Sequence, residues 1–401
     1  MHRANLLIEA FRSFGAADGV TLASIRQTGA TAVFTSLHEV PCGEEWPLAS
    51  IVQRRDELSQ AGLVWHAAES LPVSEEIKTR TGDFERHIEN YRTSLRHLGE
   101  AGISVVLYNF MPALDWVRTD VAHKMEDGAE ALLFDPVKFA AFDLFVIGRE
   151  GAEKSLPQAE VAAASRFWAG LSKGKRTEFA QLVLGFFPGA QATMSPAELK
   201  GILARYREIS AGQMRANLVA FLEAVAPAAE ASGVRMAIHP DDPPFPILGL
   251  PRIVSTEDDI KRILEAVNSP SNGLCYCSGS LGARADNELV GMVERYGDRI
   301  HAVHLRSVQR NPDGTFHEAP HLAGNANMPA IVAALLKQQA KRRAQGRRDW
   351  QLAFRPDHGH VLLDDLLKPR PACPGYSLLG RLRGLAEIRG LQHGLSHLLP
   401  S

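Results

Sequence analysis

Residues 273–306 read GLCYCSGSLGARADNELVGMVERYGDRIHAVHLR, and their pattern decides the fold. The stretch opens with a short apolar run, GLCYCS, and closes with a second one, IHAVHLR. The longer segment between the two runs has the character of a helix. A strand, a crossover helix and a second strand form a βαβ unit, whose two strands lie parallel in one sheet.

The same alternation of short apolar runs and helical patterns extends over most of the chain, which predicts a parallel α/β protein. In residues 214–229, for example, apolar side chains recur at three- and four-residue spacing on one helix face. A run near residues 6–14 carries a weaker strand signal. Together with seven clearer strands it would close a (β/α)8 TIM barrel, which is the predicted fold. The seven clearer strands cover residues 30–37, 63–71, 103–110, 235–239, 273–278, 300–306 and 350–357.

Residues 119–210 interrupt this alternation, because the stretch is too long for one crossover between neighbouring strands. Breaks at Gly151, at Pro157 and at the segment FFPGA (186–190) divide it into several predicted helices. We therefore expect a helical insertion after the fourth strand, which could cover the barrel as a cap. Residues 1–401 are expected to form a single barrel domain, since such barrels reach about 400 residues with insertions.

The composition is that of a globular protein, with 45% of the 401 residues apolar and 22% charged. Lys and Arg total 44 against 46 Asp and Glu, so the protein has no net positive charge that would attract nucleic acid or an anionic membrane. A small molecule is therefore the expected partner. No stretch approaches 18 apolar residues and no secretory signal is evident, so we expect a cytoplasmic protein. Four cysteines are too few for a disulfide framework.

Residues with metal-binding side chains occupy the carboxyl ends of four consecutive predicted strands. They are His239, Cys277, His304 and Asp357. Each has an ordinary alternative, because such a histidine is often only hydrogen-bonded, a cysteine often fills a core and an aspartate often caps a turn. In a (β/α)8 barrel, however, these strand ends meet at the face where active sites lie. Two imidazoles, a thiolate and a carboxylate at one height predict a site for a divalent first-row metal.

Longer motifs carry a resemblance that covers nearly the whole chain. They are IKTRTG (77–82), YNFMPALDWVRTD (108–120), HPDDPPFPILGLPRI (239–253), NGLCYCSGSLGARADN (272–287), HAVHLRS (301–307), FHEAPHL (316–322), RPDHGH (355–360) and PGYSLLGRLRGLAEIRGL (374–391). These motifs resemble those of the D-mannonate dehydratase family. The resemblance implies a metal-dependent lyase that dehydrates D-mannonate in hexuronate breakdown, with Mn²⁺ or Fe²⁺ held by the four residues singled out above. It also implies His358 and Tyr376 as the acid and base, and leaves open which is which.

A dehydration of this kind needs help at two carbon atoms, since it takes a proton from C2 and expels hydroxide from C3. A metal can stabilise the enediolate charge, while one side chain accepts the proton and another protonates the leaving hydroxyl. Arg306 lies two residues after His304, and Arg355 lies two residues before Asp357, so each arginine shares the strand face of a predicted ligand. A barrel interior would not hold either guanidinium unpaired. The candidates for binding substrate are Arg306, Arg355, Asn109 and Arg118.

Two alternatives to this function stay open from the sequence. A metal-dependent sugar isomerase on the same fold also uses strand-end histidines and carboxylates, although such sites generally favour several carboxylates over a thiolate. A catalytically weakened binding or regulatory barrel is the second alternative. It is suggested by residues 12–15, which read RSFG where the resembled family usually has RWYG. Whichever of these functions the protein has, we expect a homo-oligomer, most simply a dimer.

Overall fold

Twelve β-strands lie in the part of the chain that the computed structural model describes, which is residues 5–15, 18–185, 194–369, 371 and 373–398. They are β1 (Ile8–Arg12), β2 (Ala32–Thr35), β3 (Val64–Glu69), β4 (Val105–Tyr108), β5 (Asp120–Lys124), β6 (Glu130–Phe134), β7 (Arg235–Ile238), β8 (Asn272–Cys277), β9 (Ile300–Leu305), β10 (Ser307–Arg310), β11 (Phe316–Ala319) and β12 (Ala353–Pro356). Eight of them close a parallel barrel in the order β1, β2, β3, β4, β7, β8, β9, β12. The predicted (β/α)8 barrel is therefore confirmed, including its weak first strand.

Helices connect the barrel strands and form the outer layer. They are α1 (Leu22–Gln27), α2 (Leu48–Gln60), α3 (Glu75–Thr79), α4 (Phe84–Glu100), α5 (Pro136–Ala141), α6 (Ala152–Ser155), α7 (Gln158–Gly170), α8 (Lys173–Leu184), α9 (Pro196–Arg205), α10 (Ala211–Ala231), α11 (Glu257–Ala266), α12 (Ser278–Gly282), α13 (Leu289–Tyr296), α14 (Met328–Ala344) and α15 (Leu378–Leu398). A π-helical segment (Phe142–Ile147) extends α5, and two 3-10 turns cover Gly297–Arg299 and Leu363–Leu366. Among the described residues no helix is long and apolar enough to span a membrane.

The long helix α10 shows how local sequence sets these elements. The side chain of Ser210 caps its first turn by accepting a hydrogen bond from the backbone N–H of Gln213 at 3.2 Å. The apolar residues that predicted the helix are buried along one face, and Phe221 among them packs against Tyr108 and Phe110 near the end of β4. The helix therefore supports the strand that leads into one wall of the barrel mouth.

Alternation along the barrel strands separates small from large side chains. Outward-facing residues such as Phe11, Tyr276 and Phe354 pack beneath the helices. Mostly small inward-facing residues fill the barrel below its mouth, and they are Ala10, Ala32, Phe34, Ala67, Val105, Leu107, Ala237, Cys275, Ala302 and Ala353. We call these residues the apolar floor of the barrel. Two positions further towards the carboxyl end of each strand, the next inward-facing side chain lies directly above this floor.

A second, antiparallel sheet corrects the prediction for residues 119–210. Its strand order is β10, β11, β6, β5, so the stretch expected to be a helical insertion begins with a β-hairpin. Only from α5 to α9 is it helical. The strand β6, with the sequence EALLF, is a short and wholly buried apolar run, which periodicity cannot distinguish from a buried helix. The break predicted at FFPGA (186–190) lies outside the described residues.

Candidate metal centre and active site

The polar residues of the barrel lie in one layer above the apolar floor. The strand register pairs Cys277 of β8 with His304 of β9, and His304 with Arg355 of β12. Glu69 and Arg12 end β3 and β1 at the same mouth. Because a step of two residues along a strand returns to the same face, each of these side chains lies one layer above a floor residue. The carboxyl ends of separate strands thus bring these polar groups together.

Three of the four predicted metal ligands form one cluster. The candidate ligand atoms of His239, Cys277 and His304 all lie within 4.8 Å of one another. Asp357, the fourth predicted ligand, lies beside this cluster, with its Oδ2 atom 3.9 Å from Sγ of Cys277. The arrangement offers two imidazole nitrogens, a sulfur and a neighbouring carboxylate oxygen, which is a donor set suited to a divalent first-row metal.

The state of these side chains also fits a metal. Nδ1 of His239 lies 2.7 Å from the carbonyl oxygen of Pro240, so that nitrogen carries a proton and Nε2 is the one left to bind a metal. Nε2 of His304 is buried with no hydrogen-bond partner among the described residues, whereas most buried polar atoms have one. Burial opposes ionisation of Cys277, but Arg306 and the two neighbouring histidines lower the pKa of its thiol well below the usual value. Cys277 is therefore a thiolate, the form that binds metals.

Three neighbours fix the direction of Asp357. Its Oδ1 atom accepts hydrogen bonds from Oη of Tyr376 at 2.9 Å and from Arg355, and its Oδ2 atom accepts one from Nη1 of Arg306 at 3.2 Å. Although burial raises the pKa of Asp357, the positive charges of Arg355 and Arg306 lower it well below the usual value. Asp357 is thus an ionised carboxylate held at the edge of the cluster.

The two predicted proton-transfer residues face the same cavity. The rings of His358 and Tyr376 lie edge to face with their centroids 5.0 Å apart. Nδ1 of His358 is 3.1 Å from Oε1 of Glu318 and 3.2 Å from Nη1 of Arg306. Arginine can only donate, and Arg306 has an acceptor in Asp357, so Nδ1 of His358 donates to the Glu318 carboxylate. The other ring nitrogen, Nε2, is then left with a lone pair.

Arg306 joins three carboxylates around the cavity that it lines. It forms ion pairs with Asp242 at 2.8 Å, with Glu318 at 3.2 Å and with Asp357 at 3.2 Å. The chain makes room for this side chain at Gly279 in α12, where a Cβ atom would lie 2.0 Å from Nε of Arg306. The guanidinium is therefore placed by the fold and its charge is compensated, as its buried position requires.

Arg355 has a similar role on the neighbouring strand β12. Its Nε and Nη2 atoms bind the two carboxylate oxygens of Glu69 at 2.9 Å and 2.6 Å, and its Nη1 atom binds Asp357. Oε1 of Glu69 also lies 3.5 Å from Nε2 of His304. Arg355 lines the cavity, so it is within reach of a bound molecule while holding a proposed metal ligand in place.

The other two predicted substrate-binding residues occupy different places. Asn109 follows β4 and lines the cavity, as a contact with substrate would require. Arg118 is fully buried, and its guanidinium binds Asp242 at 2.7 Å and Glu318 at 2.9 Å. This geometry favours a role for Arg118 behind the cavity wall, where it holds two carboxylates that also contact Arg306.

Sequence reasoning gave no role to two carboxylates that organise the site. Glu69 ends β3, so the rule that selected the metal ligands from strand ends could also have selected it. Glu318 lies in β11, a strand of the second sheet that was not predicted, so no signal placed it near His358. Both carboxylates are ionised in spite of burial, because neighbouring arginines and histidines lower the pKa of Glu69 well below its usual value and that of Glu318 to about 2.

A closed (β/α)8 barrel that gathers histidines, a thiolate and carboxylates at its carboxyl face defines a TIM-barrel enzyme with a metal-type centre. A family model described as D-mannonate dehydratase matches residues 7–399. The chain therefore belongs to the D-mannonate dehydratase family. The resemblance and the hydro-lyase class predicted from the sequence are confirmed by this match.

Similar proteins support this assignment along the whole chain. A mannonate dehydratase of Chromohalobacter salexigens is 48% identical over 389 residues, which cover 97% of this chain and 98% of that protein. One of a Marinomonas species is 47% identical over 390 residues, with 97% and 99% covered. The crystal structure of mannonate dehydratase from Streptococcus suis serotype 2 is similar with a TM-score of 0.76 and 32% identity, covering 99% of this chain and 96% of that one.

Proposed function

We propose that the cavity at the barrel mouth converts D-mannonate to 2-dehydro-3-deoxy-D-gluconate, a step in hexuronate (glucuronate) breakdown. The observation that carries this proposal is the convergence of two kinds of group on one cavity. The cluster of His239, Cys277 and His304 reaches the cavity through His239, and Asp357, His358 and Tyr376 line the same cavity. The family to which the chain belongs supplies the reaction.

We propose His239, Cys277, His304 and Asp357 as the residues that hold a divalent cation, Mn²⁺ or Fe²⁺. The mixture of imidazole, thiolate and carboxylate supports a first-row transition metal over Mg²⁺ or Ca²⁺, which prefer oxygen ligands throughout. When bound, such a metal supplies a Lewis acid that stabilises negative charge on the oxygens next to C2 of the substrate. Arg306 and Arg355 add positive charge to the same region of the cavity.

We also propose a division of the two proton transfers, which the sequence left open, and the hydrogen bonds of His358 and Tyr376 support it. His358 donates from Nδ1 to Glu318, so its Nε2 can accept the proton from C2, and the released electron pair forms the C2–C3 double bond as hydroxide leaves C3. Tyr376 holds its own proton, since its Oη donates to Asp357 and burial, with the charge of Asp357, raises its pKa well above the usual value. Tyr376 can therefore protonate the departing hydroxyl to give water. The remaining enol then becomes the 2-keto product.

The function is tested by incubating the purified protein with D-mannonate and measuring the 2-keto acid that forms. Turnover should be abolished by a chelator and restored by Mn²⁺ or Fe²⁺, because the charge that develops beside C2 needs a Lewis acid. Absence of 2-keto acid with a fully metal-loaded enzyme would contradict the proposed reaction. Full activity of rigorously demetallated protein would contradict only the need for a metal.

The proton-transfer roles are tested with His358→Ala and Tyr376→Phe. Each variant should lose about 100- to 10,000-fold in kcat, the usual cost of removing a general acid or base. Metal content should stay near that of the unchanged enzyme, since neither residue is among the proposed ligands. A loss smaller than tenfold in both variants would show that the pair has been assigned wrongly.

A homodimer in the cytoplasm is also part of the proposal. The nearly equal numbers of basic and acidic residues support a small sugar acid as the partner, because they provide no field that attracts a polyanion. Sedimentation of the purified protein at several concentrations would measure the oligomeric state, and a single monomeric species would contradict the dimer.

A further inference from the structure

Asp115 differs from the other carboxylates that line the cavity. Glu69, Asp242 and Asp357 line it as well, and each of them is bound by at least one arginine. The side chain of Asp115 has no hydrogen bond and no ion pair with any described residue. Asp115 therefore presents a carboxylate whose hydrogen-bonding capacity the protein leaves unused.

The main chain around Asp115 is held in place by other residues. Its carbonyl oxygen accepts hydrogen bonds from both terminal nitrogens of Arg252, at 3.3 Å and 3.4 Å. Two residues further on, the N–H of Val117 donates to the carbonyl oxygen of Asp242 at 3.2 Å. The ring of Trp116 packs on His358 with a centroid distance of 4.6 Å. The loop thus fixes Asp115 beside the reaction centre without using its side chain, which is the property of a preorganised binding group.

The surroundings of Asp115 limit what it can bind. Burial raises the pKa of its carboxyl in spite of the positive charges of His239, Lys78 and Arg252. A partly buried carboxylate without a partner is costly, and a ligand that donates hydrogen bonds removes this cost. The carboxylate end of a sugar acid would be repelled by Asp115 and belongs near Arg306 and Arg355. The neutral hydroxyl groups of the sugar chain are the donors that fit.

We propose that Asp115 binds the hydroxyl groups of C5 and C6 of D-mannonate, an inference that rests on the function proposed above. A vicinal diol presents two O–H donors to the two oxygens of one carboxylate. Asn109 lines the same cavity and likewise has no side-chain hydrogen bond to a described residue, so it is available to the same end of the substrate. Asp115 is then a specificity residue that selects a long polyol chain and fixes its direction relative to the acid–base pair.

The test compares Asp115→Ala and Asp115→Asn with the unchanged enzyme on two substrates. One is D-mannonate, and the other is the four-carbon aldonate that keeps its configuration at C2 and C3 but lacks C5 and C6. With D-mannonate, Asp115→Ala should lose about 10- to 100-fold in kcat/KM, the usual range for a hydrogen bond to a charged group. Asp115→Asn should lose less, because it keeps one acceptor oxygen. On the four-carbon substrate, both variants should match the unchanged enzyme, whose own kcat/KM is already reduced.

A matched control is Asp127→Asn, in the exposed turn between β5 and β6, which should leave both kcat/KM values unchanged. Equal losses of kcat/KM on the two substrates, or a loss of bound metal in Asp115→Asn by elemental analysis, would overturn the inference. The first result would place Asp115 in the chemical step and the second among the metal ligands. Absence of D-mannonate turnover in the unchanged, metal-loaded enzyme would instead contradict the proposed function, and the inference with it.

Discussion

At the scale of the residue, height along a strand decides the role of a side chain. Cys275 and Cys277 are two residues apart in β8 and face the same side of the barrel. Cys275 pairs with Ala302 and lies in the apolar floor, where burial raises the pKa of its thiol well above the usual value. Cys277 pairs with His304 and is a thiolate at the start of α12. One step of two residues thus separates a core residue from a proposed metal ligand.

Replacing each cysteine by serine tests this difference. Cys277→Ser should lose bound metal and activity together, since a hydroxyl is a poor substitute for a thiolate. Cys275→Ser should keep its metal and lose only stability, on the order of 1 to 3 kcal/mol if the new hydroxyl is buried without a partner. Elemental analysis and thermal unfolding of both purified variants provide the measurements. Normal metal content in Cys277→Ser would remove it from the ligand set.

Part of the site could be predicted from the strand ends, because a residue at the carboxyl end of a barrel strand must lie at the barrel mouth. His239, Cys277 and His304 could be brought together from the sequence, since the closed barrel places successive strand ends side by side. The partner of His358 could not be predicted in this way. Glu318 reaches that ring from β11, and the pairing of β11 with β6 joins residues far apart in the chain. No local pattern in either segment records that pairing.

At the scale of the element, strands with strong apolar runs were predicted and strands of the second sheet were not. All eight barrel strands overlap the predicted runs, because strands buried on both faces carry continuous apolar sequence. By contrast, β5 reads DVAHK and is only partly buried, so its sequence has no such signal. The division of the chain stays a prediction: residues 1–401 form one domain, and residues 119–210 are an insertion within it. The structure adds that this insertion begins with a β-hairpin.

The second sheet is joined to the barrel mouth through Arg118, which predicts a large effect on stability. Arg118→Met would leave the buried carboxylates of Asp242 and Glu318 with only part of their compensating charge. Breaking a buried ion pair from one side typically costs about 3 to 5 kcal/mol. Lys175→Met is the control, because its pair with Glu178 is about two-thirds exposed at both ends and such pairs contribute roughly 0 to 1 kcal/mol.

Chemical denaturation of both variants under identical conditions would measure the difference. The midpoint for Arg118→Met should fall far below that of the unchanged protein, and that for Lys175→Met should barely move. Similar midpoints for the two variants would show that Arg306 alone is able to compensate Asp242 and Glu318.

At the scale of the whole molecule, buried neutral histidines couple folding to pH. Nε2 of His321 has no hydrogen-bond partner among the described residues, and burial lowers the pKa of this ring to about 4 although the charge of Glu387 acts in the opposite direction. Burial and the charge of Arg235 lower the pKa of His301, in β9, well below its usual value. Both side chains are neutral in the folded protein, and unfolding lets each take up a proton near pH 6.5, the ordinary pKa of histidine.

We therefore predict that the free energy of unfolding decreases as the pH falls from about 6.5 towards 4. A lowered pKa in the folded state means that the unfolded chain binds more protons in this interval, so acid favours unfolding. For His321 alone, the shift from 6.5 to about 4 corresponds to roughly 2 kcal/mol lost between pH 7 and pH 5. His321→Gln cannot take up this proton, so its stability should decline less than that of the unchanged protein over the same interval. Denaturant midpoints of both proteins at pH 7 and pH 5 give the two differences, and equal declines would show that His321 does not contribute to the acid sensitivity.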